Sequence, residues 1–225
     1  MLVYNILVAC DQAYYDAWVP NLITSIRHFN PEKFNLHVHV VNAEHVNEIL
    51  GVNYTYENQE FASDDQRLGY LQSVRFLIVA NKFALDDCVI TVDCDSICLR
   101  PIDNAELNEL FSNQHVLQHH KDSRWMAGFV AFGANSFKFD YAEELKKTPV
   151  KDWLIGHDQT TMKEIAEQYQ FLPLNRSQWM SVGKIKGNSA FLTLKGRQKY
   201  SEKWLNPYYQ VLEKCNAAPV VQHRY

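Results

Sequence analysis

The sequence predicts an α/β fold with a mostly parallel central sheet flanked by helices, and three observations carry that prediction. Short strand-like runs recur at residues 3–9, 36–40 and 88–92, the first and third unbroken and apolar, the second alternating. The stretches between them place apolar side chains on one face at helical spacing. The third run ends in two carboxylates, Asp93 and Asp95, at the edge where open α/β sheets hold their ligands.

Residues 3–9 form the first strand. Trp18, Leu22, Ile26 and Phe29 then recur at spacings of four, four and three, one face of a helix over 14–28 that Asn30-Pro31 ends. Leu36, Val38 and Val40 alternate with His37 and His39, a second strand with the histidines on its more polar face. Strand, helix, strand is a βαβ unit with a right-handed crossover. Residues 54–65 are polar and unpatterned and predict a loop. Val74, Leu77, Ile78 and Asn81 predict a helix over 71–83, and 88–92 is the central strand. Further strands are expected at 116–119, 128–132, 171–174 and 190–194. Helices are expected at 105–111, 137–147, 159–169 and 198–214, the last kinked at Pro207. With no repeat or Gly/Ser-rich linker in 225 residues, one domain over 1–225 is the economical expectation.

Composition narrows the function. At 47% hydrophobic and 13% aromatic the chain can build a core and is not of the disordered class. A net charge of −4 without a Lys/Arg stripe excludes a general nucleic-acid binder. The basic cluster over 184–199 is a phosphate grip or a solvated face. Cys10, Cys88, Cys94, Cys98 and Cys215 are odd in number and form no CxxC pair, so reduced thiols and a cytoplasmic location are expected. No stretch is long and apolar enough for a transmembrane segment. His115, His119 and His120 lack the spacing of a structural zinc site. No GxSxG, Walker A or GxGxxG motif occurs, which removes support for hydrolase, P-loop and dinucleotide chemistry.

Asp93 and Asp95 carry the chemistry. If the chain stays extended past the strand, alternate residues point the same way and both carboxylates converge on one cation. Mn2+ or Mg2+ takes such hard oxygens together with phosphate oxygens and water, and neutralises a departing diphosphate. A bare DxD also occurs as an ordinary loop or cap, so its surroundings decide.

The run VITVDCDSICLRPID resembles the DxD segment of GT-A-fold glycosyltransferases, in particular the family that includes glycogenin and bacterial lipooligosaccharide galactosyltransferases. The resemblance extends over about residues 3–204. ILVACDQAYYDAWVPNLITSI is similar to the opening strand and helix, which implies that Ala9, Asp11 and Tyr14 hold the nucleotide's base and ribose. A tyrosine ring can stack on uracil; the alternative makes Asp11 a helix cap and Tyr14 or Tyr15 core packing. YLQSVRFLIVANKF implies a nucleotide-sugar role for Arg75, which on an apolar helix needs an anionic partner such as the diphosphate or Asp93; the alternative is an arginine reaching to solvent.

WMAGFVAFGAN implies close approach of the donor sugar at Ala127-Gly128; a strand bulge is the alternative. GHDQTTMKEI implies sugar-contact or catalytic roles for Asp158 and Gln159, with a cap as the alternative role for Asp158. FLTLKGRQKYSEKW keeps the family's phosphate grip at Lys195, Gly196 and Lys199, but Thr193 stands where a third metal ligand, His, is usual. That ligand is then missing, is water, or comes from elsewhere, with His223 nearest.

The resemblance thus implies a metal-dependent, hexosyltransferase-like enzyme using Mn2+ or Mg2+ on Asp93 and Asp95. The donor is a nucleotide-diphospho-sugar, a UDP-sugar, and the acceptor a glycan or glycoconjugate hydroxyl. The nucleotide-binding half spans about 1–103 and the acceptor side about 104–225. The resemblance is to retaining enzymes and leaves the stereochemistry open; inversion would need a base, for which Asp158 is placed. Two alternatives stand beside it. One is a catalytically weak or inactive sugar-nucleotide-binding domain, suggested by Thr193. The other is a sugar nucleotidyltransferase, whose Gly-rich first loop and Lys are absent from Ala9-Cys10-Asp11-Gln12.

Overall fold

The computed structural model describes residues 4–118, 125–169, 171–194, 196, 199 and 201–216. Its chain runs β1 (Tyr4–Asp11), α1 (Gln12–Phe29), β2 (Phe34–Val41), β3 (Val52–Glu57), α2 (Asp64–Lys82), β4 (Cys88–Val92) and β5 (Ser96–Cys98). It continues through α3 (Asn104–Ser112), β6 (His115–Gln118), β7 (Trp125–Phe132), α4 (Phe137–Lys146), a 3-10 turn (Val150–Asp152) and α5 (His157–Tyr169). Three short strands, β8 (Leu172–Pro173), β9 (Met180–Val182) and β10 (Phe191–Thr193), precede α6 (Glu202–Lys214).

The main sheet has seven strands in the order β3-β2-β1-β4-β7-β6-β8. The first four in that order run parallel; β7 is antiparallel to β4 and β6, and β8 is parallel to β6. Alternation along β1 sorts two cores. Ile6, Val8 and Cys10 pack with Val19, Leu22 and Ile26 of α1, while Leu7 and Ala9 pack with Val74 and Val79 of α2. A second sheet, β5-β10-β9, lies beyond the end of β4. Ile97 and Leu192 of that sheet join Trp18 of α1 and Leu205, Tyr208 and Leu212 of α6 in a third core.

Several expectations need correction. The loop expected at 54–65 contains most of β3, whose Thr and Tyr suit a strand. At the sheet edge it buries only part of each side chain, so it never shows a clean apolar face. α2 begins at Asp64, seven residues before the expected start, because Ser63 caps it by accepting the Gln66 N–H at 3.2 Å. The last helix begins at Glu202 rather than 198 and continues through Pro207. The strands β5 and β9 were not expected; three residues each carry no readable period. Among the described residues no helix is long and apolar enough to cross a membrane.

His37 and His39 lie on the side of the sheet opposite Leu36, Val38 and Val40, the more polar face as expected, with Asn5 and Thr55 as neighbours. Both rings are nonetheless buried, His37 edge-on to Phe83 at 4.9 Å. His39 Nδ1 meets Thr55 at 2.9 Å and His37 Nε2 meets Asn5 Oδ1 at 3.2 Å. Burial, aided by Lys82, lowers His37 to about 4. Between pH 6.5 and 4 the unfolded chain takes up a proton that native His37 refuses, so stability should fall as pH drops through that window and level off outside it. His37→Asn should remove on the order of 1–2 kcal/mol of that slope, allowing for solvent screening. Urea midpoints of both proteins at pH 7 and pH 4 measure the difference; equal slopes would mean that His37 titrates normally.

Candidate functional site

A pocket of about 180 Å3 opens beyond the carboxyl ends of β1 and β4. Ala9 and Cys10 supply its floor from β1, and Tyr14 enters from the first turn of α1. Leu68, Leu71, Gln72 and Arg75 line one wall at the i, i+3, i+4, i+7 spacing of a single helix face. Asp93, Cys94 and Asp95 form the opposite wall, and Leu194, Gly196 and Lys199 close the mouth.

The chain does not stay extended through Asp93-Cys94-Asp95. The Ser96 N–H reaches back to the Asp93 carbonyl at 3.0 Å, and the Asp93 N–H donates to the Gly128 carbonyl at 3.1 Å. This turn brings both carboxylates to the pocket but gives each its own protein cation.

Arg75 is buried. Its Nη1 donates to Asp93 Oδ1 at 2.8 Å, its Nη2 donates to the Ala127 carbonyl at 2.8 Å, and Asp158 Oδ2 lies 3.7 Å from Nη2. Burial alone would lower this guanidinium, but Asp93 and Asp158 outweigh it and raise it. The expected anionic partner is therefore present as two carboxylates, and the arginine reaching to solvent is excluded.

Asp95 is paired with Lys199 and accepts the Thr193 hydroxyl at 2.9 Å. Burial raises the Asp95 carboxyl while Lys199 pulls it back. Burial would lower the Lys199 ammonium, yet Asp95 holds it above the usual lysine range. Lys199 Nζ also lies 4.7 Å from the centre of the Tyr14 ring, within cation–π range. Thr193 stands opposite Ser96 in the β5–β10 pairing, beside Asp95.

The two candidate stacking tyrosines separate cleanly. Tyr14 lines the pocket, whereas Tyr15 is buried in the core with its hydroxyl donating to the Asn47 carbonyl at 2.7 Å. Asp11 caps α1 through the Tyr14 N–H at 2.9 Å and pairs with Arg67. Gly128 sits behind the Asp93 turn, and its carbonyl anchors that turn. Asp158 is 2% exposed behind Arg75, and α5 begins one residue before it, so it is not a cap outside the helix. Gln159 follows in the first turn, its N–H donating to Asp158 Oδ1 at 2.8 Å. Lys195 and His223 lie outside the described residues.

Arg67, Leu68 and Gln72 were missed by sequence reasoning. Leu68 and Gln72 share a helix face with Arg75, a readable signal, and Leu68 and Arg67 precede the helix start expected at 71.

The two carboxylates offer the hard oxygens that Mn2+ or Mg2+ prefers. Both are also engaged by Arg75 and Lys199, Thr193 donates to Asp95 in place of a ligating His, and among the described residues no group of three His, Cys, Asp or Glu could hold a metal ion. The protein alone thus supplies an incomplete donor set, fitting a cation only when other oxygens join it.

No protein-family model and no curated protein matches this chain. Among solved structures, it is similar to the crystal structure of the galactosyltransferase LgtC in complex with donor and acceptor sugar analogues. That likeness has a TM-score of 0.63 and 12% identity, and covers 96% of this chain and 97% of that one. At such identity the likeness speaks for architecture and not for a shared activity. The chain has the GT-A fold of that galactosyltransferase, the fold implied by its carboxylate motif.

Proposed function

We propose that this protein is a glycosyltransferase that moves a sugar from a nucleotide-diphospho-sugar, a UDP-sugar, to a glycan or glycoconjugate hydroxyl. The observation that carries the proposal is the strand-end pocket, in which Tyr14, Arg75, Lys199 and the Asp93–Asp95 turn face one space. The GT-A fold supports it.

In this assignment Ala9 and Asp11 bound the uridine and Tyr14 stacks on the base. Gly196, Lys195 and Lys199 hold the diphosphate, where fixed positive charge stabilises the leaving group as the glycosidic bond breaks. The Ala127-Gly128 backbone, behind the pocket wall, positions Arg75 and the Asp93 turn against the transferred sugar. Asp158 holds Arg75 against it and Gln159 contacts it, both from the start of α5. Bound Mn2+ or Mg2+ on Asp93 and Asp95 would add Lewis-acid neutralisation of the diphosphate.

The test is a thermal-shift panel of nucleotide-sugars with Mn2+, followed by donor hydrolysis. UDP-sugars should raise the melting temperature and be slowly hydrolysed. Tyr14→Ala should weaken UDP by about 1–3 kcal/mol in calorimetry, while Tyr15→Phe should not, because Tyr15 belongs to the core. Binding without hydrolysis or transfer would leave a sugar-nucleotide-binding domain. No response to any nucleotide-sugar would sink the proposal.

A further inference from the structure

The α2 wall of the pocket carries N–H donors that the fold itself does not use. Gln72 and Arg75 line it one helical turn apart. The Gly156 N–H donates to Gln72 Oε1 at 3.0 Å. A backbone N–H can be met only by the oxygen end of an amide, so the orientation of this side chain is settled. Its other end, Nε2 with two hydrogens, finds no acceptor among the described residues. Arg75 is 4% exposed and directs its terminal nitrogens to Asp93 and the Ala127 carbonyl, yet its Nε is buried without an acceptor. Donors left unmet in such a place carry a cost that a ligand oxygen removes.

The kind of oxygen follows from charge. Arg75 is already balanced by Asp93 and Asp158, and Gln72 is neutral, so this wall offers donors without net positive charge. Lys199, at the pocket mouth, suits a phosphate, whereas a neutral amide suits a hydroxyl.

We propose that Gln72 selects the transferred sugar by donating from Nε2 to one of its hydroxyl oxygens. The ligand class rests on the function proposed above, to which Gln72 adds a specificity determinant. Its bond to Gly156 fixes the amide and ties this wall to the start of α5, where Asp158 and Gln159 stand. A sugar lacking the hydroxyl leaves the amide unmet and binds less well.

Calorimetry with excess Mn2+ and three probes, UDP, UDP-glucose and UDP-galactose, tests this. The singly deoxygenated forms of whichever sugar binds more tightly follow. The native protein should disfavour one deoxy form by about 3–10-fold. Gln72→Met, of similar length and without donors, should bind the parent sugar and that deoxy form alike, a cycle that a merely structural role would not move. UDP, which has no sugar, should bind the variant as it binds the native protein. Gln72→Leu repeats the measurement should the methionine variant fold poorly.

Equal weakening of UDP and UDP-sugar overturns the proposal and leaves the function standing. So does discrimination that survives the substitution, or a native protein that binds every deoxy form as well as the parent. If the native protein binds neither UDP-sugar, the function falls and the proposal with it.

Discussion

Replacing Arg75 with methionine is expected to cost the fold about 3–5 kcal/mol, measured from urea unfolding midpoints. The methionine keeps most of the apolar stem, so the loss is one of charge. Arg75 joins three parts of the chain: Asp93 after β4, the Ala127 carbonyl on β7 and Asp158 on α5. Without the guanidinium, Asp158 remains 2% exposed beside a hydrocarbon. Arg75→Lys should recover little, since a single ammonium cannot span three acceptors in a plane. Adding Asp158→Asn to Arg75→Met should restore a large part of the loss. A cost below about 1 kcal/mol for Arg75→Met would mean that Asp158 is neutral or held by other partners.

Gly69→Ala is the second large effect, at about 2–4 kcal/mol, because the added methyl has nowhere to go. A Cβ there would lie 2.4 Å from the Leu154 carbonyl carbon and 2.5 Å from its oxygen, both backbone atoms. α2 would have to draw back from the segment that leads into α5. That segment is tied to α2 by the Gly156 N–H donating to Gln72 Oε1 at 3.0 Å, so the separation should also carry Asp158 away from Arg75. Gly156→Ala serves as the contrast: its Cβ meets nothing within 4 Å, and its φ of +87° sets the cost, about 1 kcal/mol. Thermal and urea unfolding of the two variants separate the mechanisms; equal small losses would show that the α2–Leu154 contact yields easily.

What was legible in the sequence follows from where burial is two-sided. β1 and β4 read as unbroken apolar runs because packed elements cover both faces, β2 reads through its alternation with His37 and His39, and α1 reads through its one buried stripe. β3 did not, being an edge. The residues of the pocket were largely legible: Ala9, Tyr14, Arg75, Asp93, Asp95, Gly196 and Lys199 all reach it. Their pairing was not. Nothing local says that the backbone turns between Asp93 and Ser96, or that Asp95 faces a lysine from the far end of the chain. Periodicity describes one element at a time, and ion pairs between distant elements exist only once the elements have met.

That distance has a consequence for how the protein comes into being. β5 leaves the Asp93–Ser96 turn and finds its partner only at residues 191–193, and α6 then seals the strip against α1, with Trp18 edge-on to Tyr208 at 5.6 Å. Closing so long a loop is entropically late work, delayed until the nearby βα contacts have formed. A nascent chain emerging amino-terminus first should therefore hold a nearly complete pocket floor while the stretch bearing Lys199 is still being synthesised. During that interval Asp95 lacks the lysine that pairs with it in the folded protein, and the pocket stands without the residues that close its mouth.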